Sequence, residues 1–206
     1  MSDSMARAAH GLAAVAALMA AISIAAVPAV AQTPKSASPL APFDKTLTLQ
    51  GMSFRVVCAN SSSINQLEII PAGLEIDNRP ISRTIEGTVT SAEVADLNAD
   101  ASPEVYVHVT SVASGSYGSL VAYGANRRKS LSEIYLPPVS DDAKAAQGYM
   151  GHDDFAVVEG TLVRRFPVYK DGDSNVAPSG GVRQMQYKLK PGEANWQLKL
   201  DRVVEY

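Results

Sequence analysis

The chain reads as an all-β protein, an antiparallel β-sandwich or flattened barrel of about eight or more strands with at most one short helix. Three observations carry that expectation. Apolar residues alternate with polar or outward-facing ones over short runs, as in Val105-Tyr106-Val107-His108-Val109 and Leu120-Val121-Ala122-Tyr123, the period of a half-buried strand. Turn chemistry separates such runs at Asn60-Ser61-Ser62-Ser63, Asp77-Asn78, Asp171-Gly172-Asp173, Ser179-Gly180-Gly181 and Pro191-Gly192, where side chains bond their own backbone or glycine relaxes it. Only residues 141–147 have helical character, and that stretch is short.

In chain order, strands are expected near residues 45–50, 54–59, 64–71, 73–76, 84–90, 104–110, 118–124 and 130–135, each a short run between turn signals. Four more fall near 154–158, 162–169, 182–190 and 196–204. Pro167 cannot donate to a ladder, so 162–169 reads as an edge or bulged strand. Phe54, Phe155, Phe166 and Trp196 are most economically core residues.

Residues 1–31 read as a secretory signal peptide. Arg7 supplies the basic start, residues 12–27 are Ala-rich and uncharged, and Pro28 precedes the small-residue cleavage pattern Ala29-Val30-Ala31. Residues 32–42, rich in Pro and Ser, form a flexible tether, and residues 43–206 a single β domain. The reading places the mature protein in the periplasm without a membrane anchor. A formal net charge of −3 offers no basic footprint for nucleic acid. Cys58 is the only cysteine and sits in an apolar run, so it is either a buried apolar side chain or half of an intermolecular disulfide. An exposed edge strand leaves room for a homodimer.

Chemistry-bearing residues are few. His108 lies inside a strand pattern and His152 precedes Asp153 and Asp154, which on an extended chain point to opposite faces. Neither histidine belongs to a nucleophile or metalloprotease signature, so no catalytic residue is assigned and an enzyme is not expected. The minority enzymatic reading is a periplasmic hydrolase using His152 with carboxylates. No cofactor signature is present. The weak metal candidates are Asp96, Asn98, Asp100 and Glu104, spaced like the front of a calcium loop. Ala101 stands where such loops usually carry glycine and Pro103 follows, so the alternative is an Asx-type turn. Arg127-Arg128-Lys129 is either a solvated hairpin tip that blunts a sheet edge or a cationic finger. Arg164 and Arg165 are expected to form local ion pairs with Glu159, Asp171 or Asp173.

The most telling segment is Ser114-Gly115-Ser116-Tyr117-Gly118-Ser119, which joins the two alternating runs quoted above. Its glycines permit a tight turn, and its hydroxyls and phenol suit contact better than catalysis. The S-G-x-Y pattern at Ser114, Gly115 and Tyr117 resembles the periplasmic bacterial inhibitors of invertebrate-type (i-type) lysozyme. Residues 95–119 and 160–167, with Tyr169, Gly172, Asp173 and Asn175, extend the likeness to most of 43–205. The resemblance implies a rigid β scaffold whose loop plugs the lysozyme cleft, with Ser114 and Tyr117 inhibitory and Gly115 shaping the turn. Ser116 shares that loop. Inhibitors of chicken-type lysozyme add Y-x-x-x-T-K-G. Here Tyr123 takes the tyrosine place and Arg128 the lysine place, while Arg127 and Lys129 replace the threonine and glycine. That points toward the i-type enzyme, with Arg127 and Arg128 as additional candidate contacts.

Overall fold

The computed structural model describes residues 41–206; the expected signal peptide and most of the tether lie outside the described residues. The described chain is all-β, with twelve strands. They are β1 (Phe43–Leu49), β2 (Met52–Cys58), β3 (Ile64–Ala72), β4 (Ile81–Glu86), β5 (Thr88–Ala95) and β6 (Glu104–Thr110). The second half holds β7 (Gly118–Asn126), β8 (Ser130–Tyr135), β9 (Asp154–Val158), β10 (Thr161–Pro167), β11 (Val182–Pro191) and β12 (Trp196–Glu205).

The first four strands form an antiparallel sheet in sequence order. The other eight form one sheet in the order β5-β6-β7-β8-β12-β11-β10-β9, which curls until it is nearly a closed barrel. Its two edges meet through side chains: the Val157 N–H on β9 donates to the Glu93 carboxylate on β5 at 3.0 Å. The eight strands are two meanders joined along their last members, β8 and β12. These run parallel and share only the pairs Ile134–Trp196 and Tyr135–Gln197. The expected purely antiparallel arrangement therefore becomes mixed at one seam, where the two meanders advance toward each other and their last strands run in the same direction.

Three expected elements differ. Residues 73–76 are not a strand: the Glu75 N–H bonds the Arg128 carbonyl and those of Ile76 and Asp77 bond the Lys129 carbonyl, while Leu74 is buried. Residues 84–90 divide at Gly87, where the chain leaves the first sheet for the second. Gly87 has φ 132°, and a Cβ there would collide with the Thr110 carbonyl. Residues 141–147 form no α-helix. A 3-10 turn at Val139–Asp141 is followed by turns in which the Asp142 carboxylate accepts the Lys144 and Ala145 N–H groups. Asp142 caps a single turn, its carbonyl accepting the Ala146 N–H at 2.8 Å, but so short a segment does not repay helix nucleation.

Strand β6 is buried on both faces and is the wall between two cores. Its Val105, Val107 and Val109 pack with Phe54, Val56, Leu67, Ile69 and the buried thiol Cys58 of the four-strand sheet. Tyr106 turns the other way, into the barrel, with Leu162, Phe166, Met185, Tyr187 and Leu198. Each such large side chain, fully buried, contributes about 1.5–3 kcal/mol. Phe54, Phe155 and Phe166 are in the interior as expected, and Trp196 is half-buried at its margin.

Gly87→Ala is expected to lower the unfolding free energy by about 1–3 kcal/mol through forced φ and the Thr110 collision. A urea unfolding curve that superposes on wild type would show that the switch between sheets tolerates a side chain.

Candidate functional site

Ser114-Gly115-Ser116-Tyr117 lies between β6 and β7, and the seven residues from Ser111 to Tyr117 make a closed loop. The Ser111 N–H donates to the Tyr117 carbonyl at 2.9 Å, and the Ser111 hydroxyl oxygen accepts the Tyr117 N–H at 3.0 Å. Inside the loop the Ser116 N–H donates to the Ala113 carbonyl at 3.0 Å. Gly115 and Ser116 both have positive φ, 104° and 42°. Gly115 is buried, whereas Ser114 is exposed and Tyr117 retains 46% of its surface.

The loop rests on residues 149–153, a support the sequence did not reveal. The His152 N–H donates to the Gly115 carbonyl at 2.7 Å. That approach requires glycine at 151, because a Cβ there would overlap the Gly115 carbonyl. At the loop's far end the Gly118 N–H donates to the Asp153 carboxylate at 2.7 Å. Asp153 has no exposed side-chain surface and also accepts from the Arg164 Nε and the Tyr149 hydroxyl, each at 2.7 Å. The Arg164 Nη2 donates to the Tyr149 oxygen at 2.8 Å, and its guanidinium lies over the Tyr149 and Phe155 rings. Burial opposes the charge on Arg164, but the hydrogen bond and charge of Asp153 outweigh it and keep the guanidinium protonated. Burial likewise pushes the Tyr149 phenol upward, so it stays a donor.

Aromatic contacts carry the support into the core. Tyr117 meets Tyr149 edge-to-face at 5.7 Å between centroids, and Tyr149 meets Phe166 at 4.7 Å. A third segment joins through His152, whose Nε2 is 3.3 Å from the Asn175 Oδ1. Val112, Tyr117, Met150 and Val176 consequently expose apolar surface on these adjoining loops. Met150 and Val176 carried no sequence signal, since each stands alone in a polar or glycine-rich stretch.

Arg127 and Arg128 are not part of this group. They form the β7–β8 turn, at the other end of β7, about 25 Å along the strand. Arg127 is exposed, while Arg128 donates to the Gln50 and Ala101 carbonyls at 3.0 and 3.3 Å. Arg128 thus ties together the β1–β2 turn and the acidic loop. Arg164 pairs with Asp153 rather than the expected Glu159, Asp171 or Asp173, and Arg165 bonds Gln184 and lies 4.0 Å from Asp154. Asp173 instead holds its own loop, accepting the Lys170 and Ser179 N–H groups, which draw its carboxyl below the usual range.

The acidic loop does converge: carboxylates of Asp96, Asp100 and Glu104 lie within 4.8 Å of one another. Asp96 already accepts the Asp100 and Ala101 N–H groups and the Gln50 amide, and Asn98 bonds Asp100, which is Asx-turn chemistry. Glu104 is buried and accepts the Leu97 N–H and Tyr106 hydroxyl. Burial pushes its carboxyl up to about 7, with the neighbouring Asp96 and Asp100 charges adding to the rise.

The two described histidines have different surroundings. His152 faces an amide, and the Asp153 carboxylate points away to Arg164. His108 lies between Ser91, 2.7 Å from Nδ1, and Glu93, 3.4 Å from Nε2, an arrangement reminiscent of a triad. It is buried beneath the Phe155 ring, and its Nε2 makes no aligned hydrogen bond. Burial holds it down to about 4, so at neutral pH the Glu93 contact is not an ion pair.

No protein-family model matches the chain, and neither a curated protein nor a solved structure is significantly similar to it.

Two outcomes follow from these geometries. Arg164→Met strands the buried Asp153 carboxylate and should lower the unfolding free energy by about 3–5 kcal/mol, read by urea denaturation; a loss under about 1 kcal/mol would show the pair to be dispensable. Glu104 contributes stability that is complete below its unfolded value near 4.5 and is lost as pH rises through about 7. His108, displaced the other way, loses its contribution as pH falls from about 6.5 to about 4 and partly masks this in the wild type. The difference between Glu104→Gln and wild type cancels His108, and it should shift in favour of the variant by about 3 kcal/mol between pH 4 and 8. A difference independent of pH would place Glu104 outside the titrating groups.

Proposed function

We propose that the protein is a periplasmic, non-enzymatic inhibitor of lysozyme, i-type by preference, which inserts the 114–119 loop into the enzyme's substrate cleft. The observation that carries this reading is a loop with an exposed serine and a half-exposed tyrosine, held to the barrel by a buried polar network. The S-G-x-Y resemblance supplies the target, and the export-type leader supplies the compartment.

The chemistry is complementary. Lysozymes use two carboxyl groups across a groove, one protonated and one ionised. The Ser114 hydroxyl donates to the ionised group while accepting from the protonated one. Tyr117 brings a stiff amphipathic ring of the kind that anchors interfaces. Because the loop is closed upon itself and braced from below, little conformational entropy remains to be lost on binding. Arg127 and Arg128 lie outside this contact, and Val112, Met150 and Val176 replace them as its neighbours.

A calcium-dependent envelope or adhesion domain is the second reading, favoured by the convergence of Asp96, Asp100 and Glu104. It ranks lower because backbone and side-chain donors of the protein already occupy the Asp96 oxygens.

Titration of i-type lysozyme with the purified protein should abolish cell-wall lysis at stoichiometric ratios. Ser114→Ala with Tyr117→Ala should weaken binding by about 2–4 kcal/mol, thirty- to several-hundredfold in Kd, with the thermal melt nearly unchanged. Absence of inhibition of every lysozyme class at about 10 µM protein would overturn the assignment, and undiminished affinity of the double variant would overturn the choice of loop.

A further inference from the structure

We propose a second binding site, for a short N-acetylated oligosaccharide, on the outer face of the barrel where β8 meets β12. It does not rest on the lysozyme reading. The two strands share only two residue pairs and then part, and the β11–β12 turn, closed by the Gly192 N–H to the Asn195 carbonyl at 2.8 Å, rises beside the gap. The result is a cleft of about 710 Å³ whose lining includes Glu133, Tyr135, Asn195, Trp196, Gln197 and Lys199.

Each wall has a defined chemistry. Tyr135 keeps 53% of its surface and sits directly across from Gln197 in the parallel register. The Trp196 indole N–H is satisfied by the Asn126 Oδ1 at 3.2 Å, which also accepts the Ser132 hydroxyl at 3.0 Å. Trp196 pairs with Ile134, so its indole lies on the barrel side of the sheet beside Ile134 and Gly124, and Tyr135 is the ring that faces outward into the cleft. Among the described residues, the side-chain amides of Asn195 and Gln197 have no hydrogen-bond partner and each offers a donor and an acceptor. Glu133 is anchored by Arg83, and no ion pair among the described residues includes Lys199.

This combination selects its ligand class. A pyranose ring presents one face of C–H groups, which packs against the negative face of an aromatic ring. Its hydroxyl and acetamido groups lie at the rim, where both amides are available. A wholly apolar ligand would leave those amides desolvated and unpaired, at about 1–3 kcal/mol each. A polyanion would face Glu133 and Glu193 with a single lysine to offset them. From the level of Glu133 to Lys199 the strip is four strand residues, about 13 Å, which suits linked rings better than one sugar. The cleft adjoins Asn126, at the end of β7 away from Tyr117. A protein holding cell-wall glycan here would keep the other end free.

The probe is the β-1,4-linked trimer of N-acetylglucosamine, titrated into the intact protein by calorimetry and by emission of Trp196, the only tryptophan. Saturable binding is expected, weakened at least about tenfold by Tyr135→Ala and by Gln197→Ala and unchanged by Tyr117→Ala. Tyr135 and Gln197 face outward, and melts of both variants verify the fold. Absence of heat and of any emission change up to about 10 mM trimer overturns the proposal. So does binding that folded Tyr135→Ala and Gln197→Ala leave at wild-type strength.

Discussion

The arrangement at the tip of the barrel depends on one buried ion pair, Asp153 with Arg164. Neither group has appreciable solvent contact, and two isolated charges in that position would be strongly destabilising. They persist because every strong valence is met: Asp153 takes the Arg164 Nε, the Tyr149 hydroxyl and the Gly118 N–H, while Arg164 lies against two aromatic rings. The Gly118 bond is the one that reaches the candidate loop. It ties the first residue of β7, and with it the end of the 111–117 loop, to a group that cannot move without leaving a charge unpaired. The 111–117 loop is thus tied to the core through a polar network, and Tyr149 reaches Tyr117 by ring contact.

The same strand that leads into the loop divides the molecule. β6 has valines on the face toward the four-strand sheet and Glu104, Tyr106 and His108 on the face toward the barrel. Polar residues so deep are tolerated because each finds a partner from its own surroundings: loop N–H groups for Glu104, the Glu104 carboxyl for Tyr106, Ser91 for His108. Small residues across the register make room, with Gly124 opposite Glu104 and Ala122 opposite Tyr106. The acidic loop and the Ser114 loop are therefore opposite ends of a single stiff element.

Period-two alternation made β6, β7, β8 and β9 legible almost to the residue, since a strand with one apolar face writes itself into the sequence. Gly87 was hidden within an apparently continuous run, because a switch between sheets leaves the alternation on either side intact. Pro167 misled: β10 lies between β9 and β11 with no register shift, neither the edge nor the bulged strand expected, because the missing N–H falls at the strand's last residue, beyond its pairing with β9. The S-G-x-Y loop was visible as a motif, but its foundation was not. Asp153 and Arg164 are eleven residues apart on adjoining segments, and nothing in their local pattern announces a buried pair. The separation of Arg127 and Arg128 from the loop was implicit in meander geometry, in which successive turns alternate ends. The β8–β12 seam, a parallel contact between residues about sixty apart, had no sequence signature.

The proposed inhibition rests on a braced loop whose Ser114 and Tyr117 are exposed. The most direct test is a crystal structure of the protein bound to i-type lysozyme. The expected result places Ser114 and Tyr117 in the substrate groove within hydrogen-bond reach of the catalytic carboxyls, with the 111–117 backbone and the Asp153–Gly118 bond as in the free protein. A complex in which another face meets the enzyme, or in which the loop has refolded and released Asp153, would contradict it.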